Sequence, residues 1–172
     1  MGAHTNGREI RDVLDSIRRI VSALRLFDRE AESSLGISGA QLFVLRQLNS
    51  QGGISVNELA ERTHTHQSSV SVVVDKLVHR GLVIRSRSPK DARSVQLSLA
   101  APGKRLLRTA PAAAQERIIA ALRKMPPARR RQLARLLESL VAGIGVRAGP
   151  PALFFEHSAK SNQPARRRAK KE

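Results

Sequence analysis

The feature that most limits how this chain folds is a change of apolar spacing at Gly81. Before it, apolar residues recur every three or four positions. After it, Leu82 and Ile84 alternate with Val83 and Arg85, and further on Val95, Leu97 and Leu99 alternate with Gln96 and Ser98. The longer step lines one face of a helix, and a step of two lines one face of a strand. The two alternating runs flank SRSPKDAR, a Pro-containing loop, so together they are expected to form a β-hairpin. Helical spacing then returns. The expected fold class is therefore mainly α with one small hairpin.

The helical part divides at recognisable stops. Residues 9–34 place Ile10, Val13, Leu14, Ile17, Ile20, Val21, Leu24 and Phe27 on a single stripe, and Gly36 ends the segment. Ser38 and Gln41 have the spacing of a capping box for the next helix, whose apolar face is Leu42, Leu45 and Leu48. Ser55 and Glu58 repeat the box in SVNELAERT, a short third helix. A fourth helix follows the polar joint HTHQ, carrying Val70, Val73, Val74 and Leu77 up to the stop at Gly81. Pro111 is expected to kink or break the helical stretch from Pro102 to Met125, and a last stripe runs through Leu133, Leu136, Leu137, Leu140, Val141 and Ile144. From about Val146 the chain reads as a basic tail without regular structure, in which PPALFF either docks on the body or stays a sticky segment.

Composition narrows the function. The net charge is +17, distributed as zero over residues 1–36, +4 over 37–100, +8 over 101–145 and +5 over 146–172. Such an excess favours a polyanionic partner, nucleic acid or an anionic membrane. No apolar run approaches the roughly 18 to 20 residues of a membrane span, and MGAHTNGREIRD lacks the apolar stretch of a secretory signal, so a cytoplasmic location is expected. The absence of Cys excludes disulfides, a thiol redox sensor, a Cys-ligated zinc site and a Cys nucleophile. Ser, His and Asp are present, but in no nucleophile elbow, phosphate loop or paired-metal spacing, so no enzyme, catalytic residue or cofactor is expected.

Three short helices followed by a hairpin make a winged helix-turn-helix over residues 37–100, whose last helix enters the DNA major groove. That helix begins near His66 and offers Gln67, Ser68, Ser69, Ser71 and Val72 as its exposed early positions. Gln can pair with adenine, Ser with several base edges or a phosphate, and Val with a thymine methyl. Lys76 lies further along and suits a phosphate; Ser55, Thr65 and His66 complete the DNA-facing set on the helical side. In the hairpin, Arg93 is the residue expected to enter the minor groove, with Arg85, Arg87 and Lys90 on flanking phosphates. Asp91 is assigned to holding Arg93 and stabilising the wing rather than to DNA.

At this point the chain resembles the MarR family of bacterial transcription regulators over roughly residues 10–145. The stretches that carry the resemblance are SGAQLFVLRQL, SVNELAERTHTHQSSVSVVVDKLVHRGLVIR and DARSVQLSLAAPGKRLL, above all Asp91-Ala92-Arg93 in the wing, with RGLVIR before it and Gly103 after it. The resemblance implies a homodimer on a pseudo-palindromic double-stranded operator, with the terminal helices, 9–34 and 102–145, forming a dimerisation domain. It also implies a repressor released by a small, often phenolic, effector held between the two domains. Val72 and Gln67 stand where many members carry Arg, and Ala100 stands where Thr often caps the next helix, at a cost of about 1 kcal/mol.

Plainer readings compete with some of these features. His64 and His66 have a spacing that two metal ligands can share, but no further ligands are evident, and helix capping or phosphate contact is favoured over a metal site. The runs RRR at 129–131 and RRRAKKE at 166–172 support no more than non-specific phosphate attraction. The main alternative function is a low-specificity or nucleoid-associated DNA-binding protein, or an activator, without a ligand switch. A membrane-surface role is set aside because the basic helices are already accounted for.

Overall fold

The computed structural model describes residues 2–50, 53–87, 94–145 and 153–155. Its elements follow the order α1 (Gly2–Leu35), α2 (Gly39–Ser50), α3 (Val56–Thr63), α4 (Gln67–His79), β1 (Val83–Arg87), β2 (Val95–Leu99), α5 (Ala101–Leu107), α6 (Ala114–Lys124) and α7 (Pro127–Gly143). The fold is mainly helical with a two-stranded antiparallel hairpin, as the spacing predicts.

Both capping boxes form. Gln41 N–H donates to Ser38 Oγ at 3.3 Å while Ser38 N–H donates to Gln41 Oε1 at 3.1 Å. Glu58 N–H donates to Ser55 Oγ at 3.2 Å and Ser55 N–H returns the bond to Glu58 Oε2 at 2.7 Å. That backbone donor, with the Ser55 side chain second, holds the Glu58 carboxyl below its ordinary range. Gly81 ends α4 at φ +67°, a conformation glycine adopts without a Cβ penalty. The segment from Pro102 breaks into α5 and α6 around Pro111. Ala100 sits at the start of α5 with no side-chain cap.

The core lies within the α2–α3–α4 unit and under the hairpin. Ile37, Leu42, Phe43, Leu45, Leu48, Leu59, Val70, Val73, Val74, Leu77 and Leu97 are fully enclosed, so Phe43 is the core's large aromatic among aliphatic neighbours. The strands pair in the register Val83 to Leu99, Ile84 to Ser98 and Arg85 to Leu97. One expectation fails here: Ile84 is half exposed, and the buried entry residues of the hairpin are the adjacent Leu82 and Val83. The chain turns inward at Gly81, so neighbouring residues share the buried side before the strand proper begins. A further link was not legible in the spacing. Ile54, between α2 and α3, bridges to Leu97, with Leu97 N–H donating to Ile54 O at 2.8 Å, so the wing is stitched to the helical unit.

The long helix α1 reaches that unit only through its C-terminal half. Leu24 and Ala31 are buried, Arg117 stacks over the Phe27 ring at 4.1 Å, and Asp28 accepts the Gly39 N–H at 2.6 Å, holding the start of α2. Burial, and then the Asp28 carboxylate one turn away, push the Glu32 carboxyl above its ordinary value. A raised carboxyl pKa means that this contribution to stability is complete below the unfolded value and is lost as pH rises through the folded one. Glu32→Gln is therefore expected to raise Tm at neutral pH, with the gain shrinking as pH drops below the ordinary glutamate range; melts at both pH values check it.

The N-terminal half of α1 and all of α7 pack differently. Ile10, Val13, Leu14, Ile20 and Val21 stay exposed, as do Leu136, Leu137, Leu140, Val141 and Ile144, and α7 buries no residue. Leu140 lies beside Ile10, Leu14 and Ile17 along a shallow apolar furrow, so the two stripes run together as one surface.

Candidate nucleic-acid interface

Helix α4 owes its orientation to its valines. Val70, Val73, Val74 and Leu77 face the core, which leaves Gln67, Ser68, Val72 and Asp75 outward over a rod about 20 Å long. Val72 is 44% exposed, the large apolar residue that this otherwise polar face presents. Ser71 and Lys76 are half-buried at the margins. Ser69 departs from expectation. At 8% exposure it is turned into the body, because it falls one step before Val70 and shares the inward arc with Val73.

The joint ahead of α4 is tightly made. His64 caps α3 in the left-handed region at φ 52°, its N–H donating to Glu61 O at 3.1 Å, and Thr65 N–H donates to Ala60 O at 3.0 Å. His66 occupies the N-cap position of α4 but gives no side-chain cap, so the capping reading of this residue holds for its position and not for its imidazole. Ser55 spends its hydroxyl on the α3 cap, and Thr65 is half-buried. Among the described residues no three His, Asp or Glu side chains gather as a metal site.

On the hairpin, Arg85 and Arg87 are exposed at the strand that runs out from the end of α4. Arg85 has a partner that sequence reading missed: Nη2 lies 2.6 Å from Asp75 Oδ1, across the gap between α4 and β1. Asp75 is four residues from Ser71 and close to Val72 on the same helix, and only the fold brings it to β1. The pair places a carboxylate on the face otherwise suited to phosphate. Exposed pairs contribute little stability, about 0–1 kcal/mol. Asp75→Asn is therefore expected to leave Tm nearly unchanged, to tighten binding to scrambled duplex a few-fold and to steepen its salt dependence by about one released counterion; anisotropy titrations across salt read both. Lys90, Asp91 and Arg93, together with Pro89, lie outside the described residues.

Arg80, at the end of α4, donates to Gly36 O at 2.7 Å, so that helix is also tied to the turn between α1 and α2. Glu116 on α6 pairs with Arg46 on α2 at 2.7 Å, and Gln115 Nε2 reaches Thr63 O at 3.4 Å. Helix α6 thus touches the end of α3 next to the joint. Beside that contact opens a pocket of about 470 Å³. Ile118, Ile119 and Leu122 of α6 line it, with His64 and Gln115 at one side and Arg123 and Arg130 at another. Its aromatic wall is Phe154. Helix α6 lines this cavity and α1 does not.

Three stacked helices, an outward polar face on the third and a hairpin beside it define a winged helix-turn-helix. The MarR family model matches residues 37–95, which are that unit. The HTH-type transcriptional repressor MdtR of Bacillus subtilis is 33% identical over 92 residues, 54% of this chain and 59% of that protein. An HTH-type transcriptional repressor of Mycobacterium tuberculosis is 30% identical over 122 residues, 71% of this chain and 88% of that protein. A MepR-like protein crystallised with pseudoligands superposes with a TM-score of 0.51 at 25% identity, covering 81% of this chain and 97% of that one. The chain belongs to the MarR family. It spans about three fifths of the length of MdtR and of a second, uncharacterized HTH-type transcriptional regulator of Bacillus subtilis, YfiV.

Proposed function

We propose that this protein is a sequence-specific double-stranded-DNA-binding transcriptional regulator, a homodimeric repressor whose hold on a pseudo-palindromic operator is weakened by a small ligand. The observation that carries the reading is the outward face of α4, with Gln67, Ser68 and Val72 presented on a helix whose other side is core, beside a hairpin bearing Arg85 and Arg87. Gln67 and Val72 suit adenine and a thymine methyl, and the hairpin arginines suit phosphates. The repressor assignment is supported by the names of the two relatives. The exposed stripes of α1 and α7 support a dimer, since an operator read by two helices one DNA turn apart needs two copies. The pocket beside the α3–α4 joint supports a ligand switch, because an occupant that favours one arrangement of that joint biases the DNA-competent state.

The test is selection of bound duplexes from a random library, followed by affinities of wild type and Arg93→Ala on the recovered site. A two-fold symmetric motif is expected, with Arg93→Ala weaker by about tenfold and the dimer intact. Recovery of no motif contradicts the regulator reading; equal affinity of the two proteins contradicts the role given to the wing.

A second reading draws on the arginines. Net charge of +8 over residues 101–145, with exposed Arg129, Arg130 and Arg131 on α7, suits a protein that coats DNA with little preference.

A further inference from the structure

In the proposed dimer the two copies of α4 must sit a fixed distance apart, so each protomer has to hold α4 against the helix that carries the dimer surface. We propose that Arg80 does this: it is a positioning residue that locks the end of α4 to the α1–α2 turn and so sets which half-site spacing the protein accepts. The role rests on the dimeric, sequence-reading protein proposed above.

Arg80 directly follows α4, and its backbone N–H closes that helix on Lys76 O at 3.1 Å. Its side chain leaves the helix altogether. Nη1 donates to Gly36 O at 2.7 Å and reaches Gln41 Oε1 at 3.4 Å, contacts that span 44 and 39 positions of sequence. Gly36 presents its carbonyl from the left-handed region at φ +65°, and a Cβ added there would stand 3.8 Å from Arg80 Nη2. The guanidinium thus lies against the turn, although the residue as a whole is exposed.

The turn that Arg80 grips is itself held on both sides. Gly36 N–H closes α1 on Glu32 O at 2.9 Å, and the Gln41 oxygen also accepts the Ser38 N–H at 3.1 Å. Asp28 of α1 accepts the Gly39 N–H at 2.6 Å. Donors and acceptors therefore run without a break from α1 through the turn and the start of α2 to the end of α4. Helix α1 also carries the exposed stripe Ile10, Val13, Leu14 and Ile20 assigned to the dimer, so a displacement of α1 is passed to α4 through one guanidinium. Arg suits this task because its fixed donors serve two acceptors at once, which the point charge of Lys does less well.

Spacing is the property that such a link controls. Base contacts require the reading face to be held within about 0.5 Å and 10–20°, whereas phosphate attraction carries no sequence information. Changing the distance between half-sites by one base pair displaces one of them by about 3.4 Å and turns it by roughly 35°. Only a loosened α4 absorbs that.

The experiment uses the full-length protein, the operator recovered by selection, and duplexes whose centre is longer or shorter by one base pair. Wild type is expected to lose about a hundredfold in affinity on either altered duplex. Arg80→Gln is expected to bind the parent operator about tenfold more weakly, and to lose only a few-fold further on the altered ones. Its mass, Tm, salt slope and affinity for scrambled duplex should match wild type, because an exposed side chain is changed and no phosphate contact is lost. Arg80→Lys keeps the charge but not the fork, and is expected to stay closer to Arg80→Gln than to wild type. Spacing discrimination in Arg80→Gln equal to that of wild type overturns the proposal. So does a fall in affinity for every duplex, with a salt slope smaller by about one and rescue by Arg80→Lys, since that marks a phosphate contact. A wild type that recovers no two-fold motif, or sediments as a monomer, refutes the dimeric reader and this role with it, and that failure shows before any variant is made.

Discussion

Leu137→Asp is expected to leave a folded monomer with little hold on an operator. Leu137 is 49% exposed in the protomer, within a stripe that includes Leu136, Leu140, Val141 and Ile144, so the protomer's own packing does not require it. The stripe joins the apolar N-terminal half of α1 through Leu140. A contiguous apolar surface on two long helices is the kind that soluble proteins cover. In the proposed dimer its cover is the same surface of a second copy, and a carboxylate in the middle would be buried without a partner, at a cost of several kcal/mol. Losing the dimer also loses the tethering of the second winged head to the second half-site, which is worth about 10²–10⁴ in affinity. Sedimentation velocity should show half the mass with an unchanged far-UV spectrum. A dimer that survives the substitution with full operator affinity would place the interface elsewhere.

Gly103→Ala is expected to destabilise the fold by about 2 kcal/mol, against a helix-propensity gain of about 1 kcal/mol that the same change brings in open helices. The reason is local. A Cβ at this position would stand 2.3 Å from the Leu82 carbonyl oxygen. That carbonyl cannot move freely, because it accepts the Ala100 N–H at 3.0 Å while Leu82 N–H donates to Leu77 O at 2.9 Å. The end of α4, the entry to the hairpin and the start of α5 meet at this one oxygen. Relief of the clash must shift the hairpin, so DNA affinity is expected to fall with Tm. For a chain of this size, ~2 kcal/mol corresponds to roughly 4–8 °C. Gly143→Ala is the control, since a Cβ there meets nothing within 4 Å, and it should leave Tm unchanged or slightly raised. Equal melting of Gly103→Ala and wild type would mean that α5 is not seated against Leu82 as described.

Much of this architecture was legible because it is periodic. The valines of α4, the two capping boxes, the stop at Gly81 and the break at Pro111 are set by neighbours within a few residues, and spacing reports such neighbours directly. What depends on long-range contact was not legible. Spacing places Ser69 beside Ser68 on a polar start, yet the arc set by Val70 and Val73 carries it inward. The Arg85–Asp75 pair and the Ile54–Leu97 bridge join residues from different elements, and no local pattern marks them. Leu153 had even less signal. A short apolar run in a Pro-led tail reads equally as anchor or bystander until the core that receives it is known. The residues at the wing tip that weigh most in the sequence argument, Lys90, Asp91 and Arg93, lie outside the described residues.

The central claim is that the face of α4 reads sequence and that the positive charge only assists. Fluorescence anisotropy of the full-length protein with duplex from its own upstream intergenic region, against a scrambled duplex, measures this directly at near-physiological and at higher salt. A preference of roughly a thousandfold or more, kept as salt rises, is the predicted result. Similar affinity for both duplexes, collapsing together with added salt, would contradict it and leave a protein that coats DNA through counterion release.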